Sequence, residues 1–273
     1  MCNSHFGRRL ISSCMGGAGC FCYNKQRRRR GDRAVTVKKS WEATMANFVL
    51  VQGAWIGGWY WRPIVQGLRQ AGHEAFAPTL TGLGERIHLM SRSINLDTHI
   101  ADVANVIKYE DLSDVILVGH SYGGMVITGV ADALPERIAS LVYLDAFVPE
   151  NGKALVNFLP AGHPGPAAAS DYTLQPLPAK FFGAAADVAA YVDAHTTPMP
   201  TACFTQAIKL AGGGDRAKKK TYIYCNVPAP TTFTQFYDKL KDDPAWTMHT
   251  LPCTHLAQID MPKELTALLL RKA

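Results

Sequence analysis

The sequence predicts an α/β fold: a mostly parallel, doubly wound sheet with helices on both faces, interrupted once by an inserted helical cap. Three observations predict it. Short apolar runs recur at 47–51, 74–78, 114–119, 139–145, 221–225 and 246–251, nearly all without the polar alternation of a sheet with one wet face. Helix-like spacing fills the gaps at 61–71, 98–109, 122–134, 232–241 and 265–272, with Asp97 as an expected N-cap. The alternation stops only between Pro149 and Lys220, a stretch rich in Ala, Pro, Gly and Phe. Repeated βα units imply parallel strands, and an insertion after a strand end is where such folds build pockets. The expected organisation is an extension at 1–44, a core from 45–148 and 219–273, and a cap at 149–218.

Residues 1–44 hold 10 of the 28 Lys and Arg but only 2 of the 22 Asp and Glu, which leaves a net charge of −2 for 45–273. The overall +6 therefore belongs to the tail, and the globular part offers no basic surface for nucleic acid. Four of the seven cysteines, Cys2, Cys14, Cys20 and Cys22, also lie in the tail; Cys203, Cys225 and Cys253 are too few and too scattered for a disulfide framework. A reduced, cytoplasmic setting is expected. Residues 10–22 are too polar and glycine-rich for a signal-peptide core, and no run approaches the roughly 18 apolar residues of a membrane span. The codons of Trp41-Glu42-Ala43 can contain a ribosome-binding sequence just upstream of Met45, so 1–44 is read as a disordered or non-native extension.

The segment 115–124, VILVGHSYGG, carries the chemistry. It is a strand, then G-x-S-x-G, then a helical run. A sharp strand-to-helix turn requires Gly119 and Gly123, because side chains there would collide with neighbouring backbone, and it lifts Ser121 above the sheet as a nucleophile. A serine hydroxyl needs a base. Of nine histidines, His255 in LPCTHLA follows the last strand and precedes the last helix, where the chain returns over the nucleophile. His120 is expected to pack beneath the turn and His249 to be structural; His73, His88, His99, His163 and His195 lack strand-end placement. The usual place for the acid, 226–233, contains no carboxylate, and Asp238 comes too late. Asp145, ending the strand after the helix that follows Ser121, is expected instead, by likeness to lipases and dehalogenases of α/β-hydrolase fold that carry their acid there; the competing reading is a strand-end Asp that caps the entry to the insertion. Oxyanion donors are expected from the backbone N–H groups of Ala54 and Tyr122. The site calls for no metal and no organic cofactor.

With these residues placed, FVLVQGAWIGGW at 48–59, GHSYGG at 119–124, LDAFVP at 144–149, His255 and Pro262 resemble the plant methylesterase and hydroxynitrile lyase family of α/β-hydrolase fold. TLTGLGER at 79–86 and LDTHI at 96–100 resemble its bacterial branch, and the likeness runs from Met45 to Ala273. It implies a serine esterase. Lyases of that family carry a threonine and a lysine where this chain has Gly53 and Leu256, and Gln52 replaces the family's usual histidine. The resemblance further implies a small aromatic ester or methyl carbamate as substrate. Carbendazim, cleaved to 2-aminobenzimidazole, is the specific expectation, and pyrethroids or other aromatic methyl esters are the alternative. Trp55, Phe158, Phe181, Phe182 and Phe204 are expected to line the pocket, with Tyr172, Tyr191 and Met199 as further cap candidates. A non-catalytic ligand receptor and a cofactor-free lyase or oxygenase stay open as other classes, as does homo-oligomerisation.

Overall fold

The computed structural model describes residues 45–160, 167–213 and 219–272. The expectation for 1–44 lies outside the described residues. In chain order the elements are β1 (Asn47–Val51), α1 (Arg62–Gln70), β2 (Glu74–Phe76), α2 (Leu96–Tyr109), β3 (Val115–His120), α3 (Gly123–Ala133) and β4 (Ile138–Leu144). There follow β5 (Thr173–Leu174), α4 (Ala186–Asp193), β6 (Met199–Pro200) and α5 (Ala202–Thr205). The chain ends with β7 (Lys219–Cys225), α6 (Thr234–Leu240), β8 (Trp246–Leu251), α7 (Ala257–Asp260) and α8 (Pro262–Leu270).

Six strands form one parallel sheet in the order β2-β1-β3-β4-β7-β8. Side chains alternate across it into two separate cores. Val49, Val51 and Leu117 point to one face, where α2 and α3 supply Val103, Ile107, Val126 and Val130. Phe48, Leu50, Ile116, Val118, Val142 and Leu144 point to the other, against Ile64 and Leu68 of α1 and Leu265 and Leu269 of α8. Both faces being covered explains the unbroken apolar runs. The edge strand β8 departs from this, with most of its residues partly exposed.

The order of strands reverses at β1 and β3, and a crevice opens beyond the carboxyl ends of strands at such a switch point. Three loops converge there: after β1, after β3 and after β4. The insertion between β4 and β7 is more mixed than a helical cap, since it holds an antiparallel β5–β6 pair beside α4 and α5. Asp97 is not the N-cap of α2. Asn95 takes that place, its side chain accepting from Thr98 N at 3.0 Å while Thr98 Oγ1 accepts from Asn95 N, and Asp97 sits in the first turn.

Candidate active site

The turn after β3 is shaped by contacts that exclude a β-carbon. One added to Gly119 would lie 2.6 Å from the carbonyl oxygen of Gly123, and one on Gly123 would lie 2.7 Å from that of Val51. Strand, turn and helix thus interlock, as expected. Gly124, to which the sequence assigned no role, is tighter still: its β-carbon would sit 2.0 Å from the carbonyl oxygen of Phe147. Ser121 occupies the left-handed region at φ 54°. For a non-glycine residue that conformation costs about 1–3 kcal/mol and persists only where surroundings impose it. Here Ser121 N–H donates to Leu144 O, and Ser121 O accepts from Gly124 and Phe147 N–H at 3.0 and 3.1 Å.

Asp145 and Trp55 share this backbone conformation, with φ 41° and 65°. Asp145 is fully buried, and its Oδ2 lies 2.6 Å from Nδ1 of His255. Its Oδ1 accepts from Cys225 N–H at 3.2 Å, while its own N–H donates to Ile223 O at 2.7 Å. Burial raises the carboxyl, opposed by the Cys225 N–H. Burial also pushes the His255 ring down to about 3, so the ring stays an unprotonated base at neutral pH. With Nδ1 engaged by Asp145, Nε2 has no protein partner among the described residues. The ring is clamped by Phe233, stacked at 4.7 Å and 7°, and by Phe182 at 5.1 Å. His120 packs beneath the turn as expected and donates Nε2–H to His255 O at 2.9 Å, fixing the loop that carries the base.

Ser121, Asp145 and His255 line one cavity of about 540 Å³, together with Ala54 and Tyr122. Neither the Ala54 nor the Tyr122 N–H has a protein acceptor among the described residues. Of the expected pocket aromatics, Trp55, Phe181, Phe182 and Phe204 line this cavity. Phe158 does not. Its ring packs behind the wall on Phe147 and Phe236, at 6.4 and 5.7 Å, because those two offer it a dry aromatic cluster. Nor do Tyr172, Tyr191 and Met199 reach it. The sequence passed over Phe147, two residues after Asp145, and Phe233, in a loop read only for its missing carboxylate; both are wall residues.

It also passed over His99. This buried ring donates Nε2–H to Thr81 O at 3.0 Å, so its Nδ1 must accept, and it takes the hydroxyl proton of Tyr122 at 2.9 Å. Burial lowers His99 to about 4, consistent with a neutral ring. Tyr122, the expected oxyanion donor, is thereby moored to α2. Gln52, at the family's usual histidine position, spans Pro78 O and Leu80 N at 2.9 and 2.8 Å in the amide orientation that satisfies both, and so ties the loop after β1 to that after β2. Among the described residues no group of three or more His, Cys, Asp or Glu side chains is arranged to hold a metal ion.

Residues 48–268 match the model of the Alpha/beta hydrolase family. The chain belongs to that family. It is 46% identical over 234 residues to the carbendazim hydrolyzing esterase of Nocardioides sp. (strain SG-4G), covering 81% of this chain and 97% of the relative. The alpha-hydroxynitrile lyase of Arabidopsis thaliana is 34% identical over 105 residues, 38% of this chain and 41% of the lyase. Among solved structures, an extracellular alpha/beta-hydrolase from a Paenibacillus species superposes with a TM-score of 0.71 at 22% identity, over 83% of this chain and 98% of its own. That likeness speaks for the fold. The family and its esterase relatives make this alpha/beta hydrolase a carboxylic ester hydrolase. None of the described helices is long and apolar enough to cross a membrane.

Proposed function

We propose that this hydrolase cleaves an aromatic methyl ester or methyl carbamate through an acyl-enzyme on Ser121, with His255 as base and Asp145 as the group that orients it. The observation that carries the reading is the buried 2.6 Å contact of His255 Nδ1 with Asp145, inside a cavity that Ser121 also lines. Asp145 accepts Nδ1–H and so leaves the Nε2 lone pair free. His255 takes the Ser121 hydroxyl proton as Oγ attacks the carbonyl carbon, and Asp145 stabilises the imidazolium that forms. The N–H groups of Ala54 and Tyr122 receive the oxyanion. Collapse expels methanol, protonated by His255, and water then follows the same path to free Ser121.

The wall supports an aromatic substrate. Phe147, Phe181, Phe182, Phe204 and Phe233 around a 540 Å³ cavity suit a flat aromatic arm, and the insertion serves as the cap over it. Carbendazim fits this description and is the compound in the name of the 46% identical relative. Its carbamoyl-enzyme would hydrolyse to a carbamic acid that loses carbon dioxide, leaving 2-aminobenzimidazole. Gly53 and Leu256 offer no hydroxyl or cation for a departing cyanide, which weighs against a lyase. Cys203, Cys225 and Cys253 are buried free thiols, in keeping with a reducing cytoplasm.

The test compares wild type with Ser121→Ala on aromatic methyl esters and carbendazim, alongside labelling by a fluorophosphonate. The expected result is turnover and labelling in wild type and neither in the variant. Turnover that survives the substitution, or a folded wild type that neither turns over nor labels, would overturn the reading.

A further inference from the structure

The chain on either side of His255 is held by a pair of side chains to which the reaction assigns no part. Thr254 Oγ1 accepts from Leu256 N–H at 3.2 Å, which closes a small turn with His255 at its middle. The Thr254 hydroxyl donates in turn to Asp260 Oδ2 at 2.5 Å, and Thr254 N–H donates to the same oxygen at 3.0 Å. The backbone N–H groups of both neighbours of His255 thus end, directly or through one hydroxyl, on a single carboxylate oxygen. His255 O is taken by His120 Nε2–H at 2.9 Å, so the backbone that bears the base is tied on both its donor and its acceptor sides.

Neither burial nor helix capping accounts for Asp260. The residue is exposed, so it contributes little to the core. It ends α7, one residue before the N-cap of α8, where a carboxylate commonly serves the free N–H groups of a helix start. Yet α8 has no side-chain cap. The carboxylate turns back six residues to Thr254 instead. Bonds from N–H and O–H to an ionised carboxylate are shorter and roughly twice as strong as neutral ones, which suits a fixture rather than a passing contact.

We propose that Asp260 is a positioning residue for the base: its carboxylate, through Thr254, fixes the turn from which the His255 ring reaches Asp145. The inference rests on the acyl-enzyme reading above, in which His255 must present one nitrogen to Ser121 while Asp145 holds the other. Asp145 grips Nδ1 at 2.6 Å and Phe182 and Phe233 flank the ring, so a turn that shifts carries the ring out of this seat. Misplacing a reacting group by about 1 Å can cost about 10²-fold in rate. Neither Thr254 nor Asp260 lines the cavity, so substrate binding does not depend on them directly. The loss should therefore fall on kcat and spare KM.

The test compares wild type with Asp260→Ala, Thr254→Val, Thr254→Ser and the Asp260→Ala/Thr254→Val double variant, in methyl benzoate hydrolysis and in the rate of fluorophosphonate labelling. Asp260→Ala and Thr254→Val should each lower kcat by about 10- to 100-fold and slow labelling in parallel, with KM within about twofold of wild type. Thr254→Ser keeps the hydroxyl and should restore kcat to within about threefold of wild type. The double variant should lose no more than about threefold beyond the worse single one, because the two side chains act as a unit. If Asp260→Ala does not fold, the contrast of Thr254→Val with Thr254→Ser decides. Wild-type kcat in Asp260→Ala or Thr254→Val, a loss carried by KM, a Thr254→Ser as impaired as Thr254→Val, or additive losses in the double variant would each overturn the positioning role and leave the acyl-enzyme reading standing. A wild type that neither turns over nor labels would overturn that reading, and the positioning role with it.

Discussion

The floor of the active site and its roof are built on opposite terms. In the floor, at the ends of β1, β3 and β4, three non-glycine residues sit in left-handed backbone, Trp55, Ser121 and Asp145, and Gly119, Gly123 and Gly124 leave no room for a methyl group. Asp145 and Tyr122 are wholly buried. In the roof, Phe181 and Val227 line the same cavity while 49% and 45% exposed. Chemistry demands angles, which only interlocked backbone supplies; recognition needs apolar area, which side chains on short irregular segments supply with latitude.

Substitutions should therefore separate the two sharply. The largest effect is expected from Asp145→Asn, which keeps the shape but cannot accept the Nδ1–H hydrogen bond as an anion: kcat should fall by about 10⁴ with little change in melting temperature. Gly124→Ala should act on folding instead. A methyl group 2.0 Å from the Phe147 carbonyl forces α3 from the loop after β4, and urea denaturation should show a loss of about 2–4 kcal/mol. His99→Phe removes the mooring of Tyr122 without touching the cavity, so kcat should drop about tenfold while KM holds, measured on methyl benzoate.

Acid should soften the floor. Burial holds His99 at about 4 and lowers His120 well below its ordinary value, so the folded chain refuses protons that the unfolded chain takes up. Depressed values of this kind cost nothing above about pH 6.5 and lower stability as pH falls below it, by about 1.4 kcal/mol per pH unit for each such proton. Urea midpoints at pH 7 and pH 5 would register it, and the pH dependence should shrink in His99→Phe. The smallest effect is expected from the roof: Phe181→Ala should raise KM about threefold and leave kcat and melting temperature alone. A large loss of kcat from Phe181→Ala would abolish the distinction between the two regions.

The same division governs how far the sequence could be read. That Ser121, Asp145 and His255 come together was legible because each follows a strand end on the same side of the sheet, Gly119 was legible because its neighbours leave no room for a β-carbon, and strands β1 and β8 fall where their apolar runs do. Phe158 and Phe233 show where legibility ends. Both are phenylalanines in irregular chain, and nothing local separates a ring that turns into the cavity from one that turns onto Phe236. His99 was invisible for a different reason: its role is set by a hydroxyl 23 positions away. The short α4, α5 and β5–β6 pair likewise owe their existence to tertiary contact rather than to a repeating pattern.

With the proposed acid, Asp145, just past the end of β4 and beside the strand that leads to Ser121, the loop after β7 is left without a proposed chemical role. Residues 227–232 contribute Val227, Pro228, Pro230, Thr231 and Thr232 to the cavity and no charged group to the reaction. For a protein engineer drawing up a combinatorial library, the side chains of this stretch are places to vary the cavity wall while the Val227 N–H bond to Cys253 O, which ties the loop to the segment bearing His255, is kept.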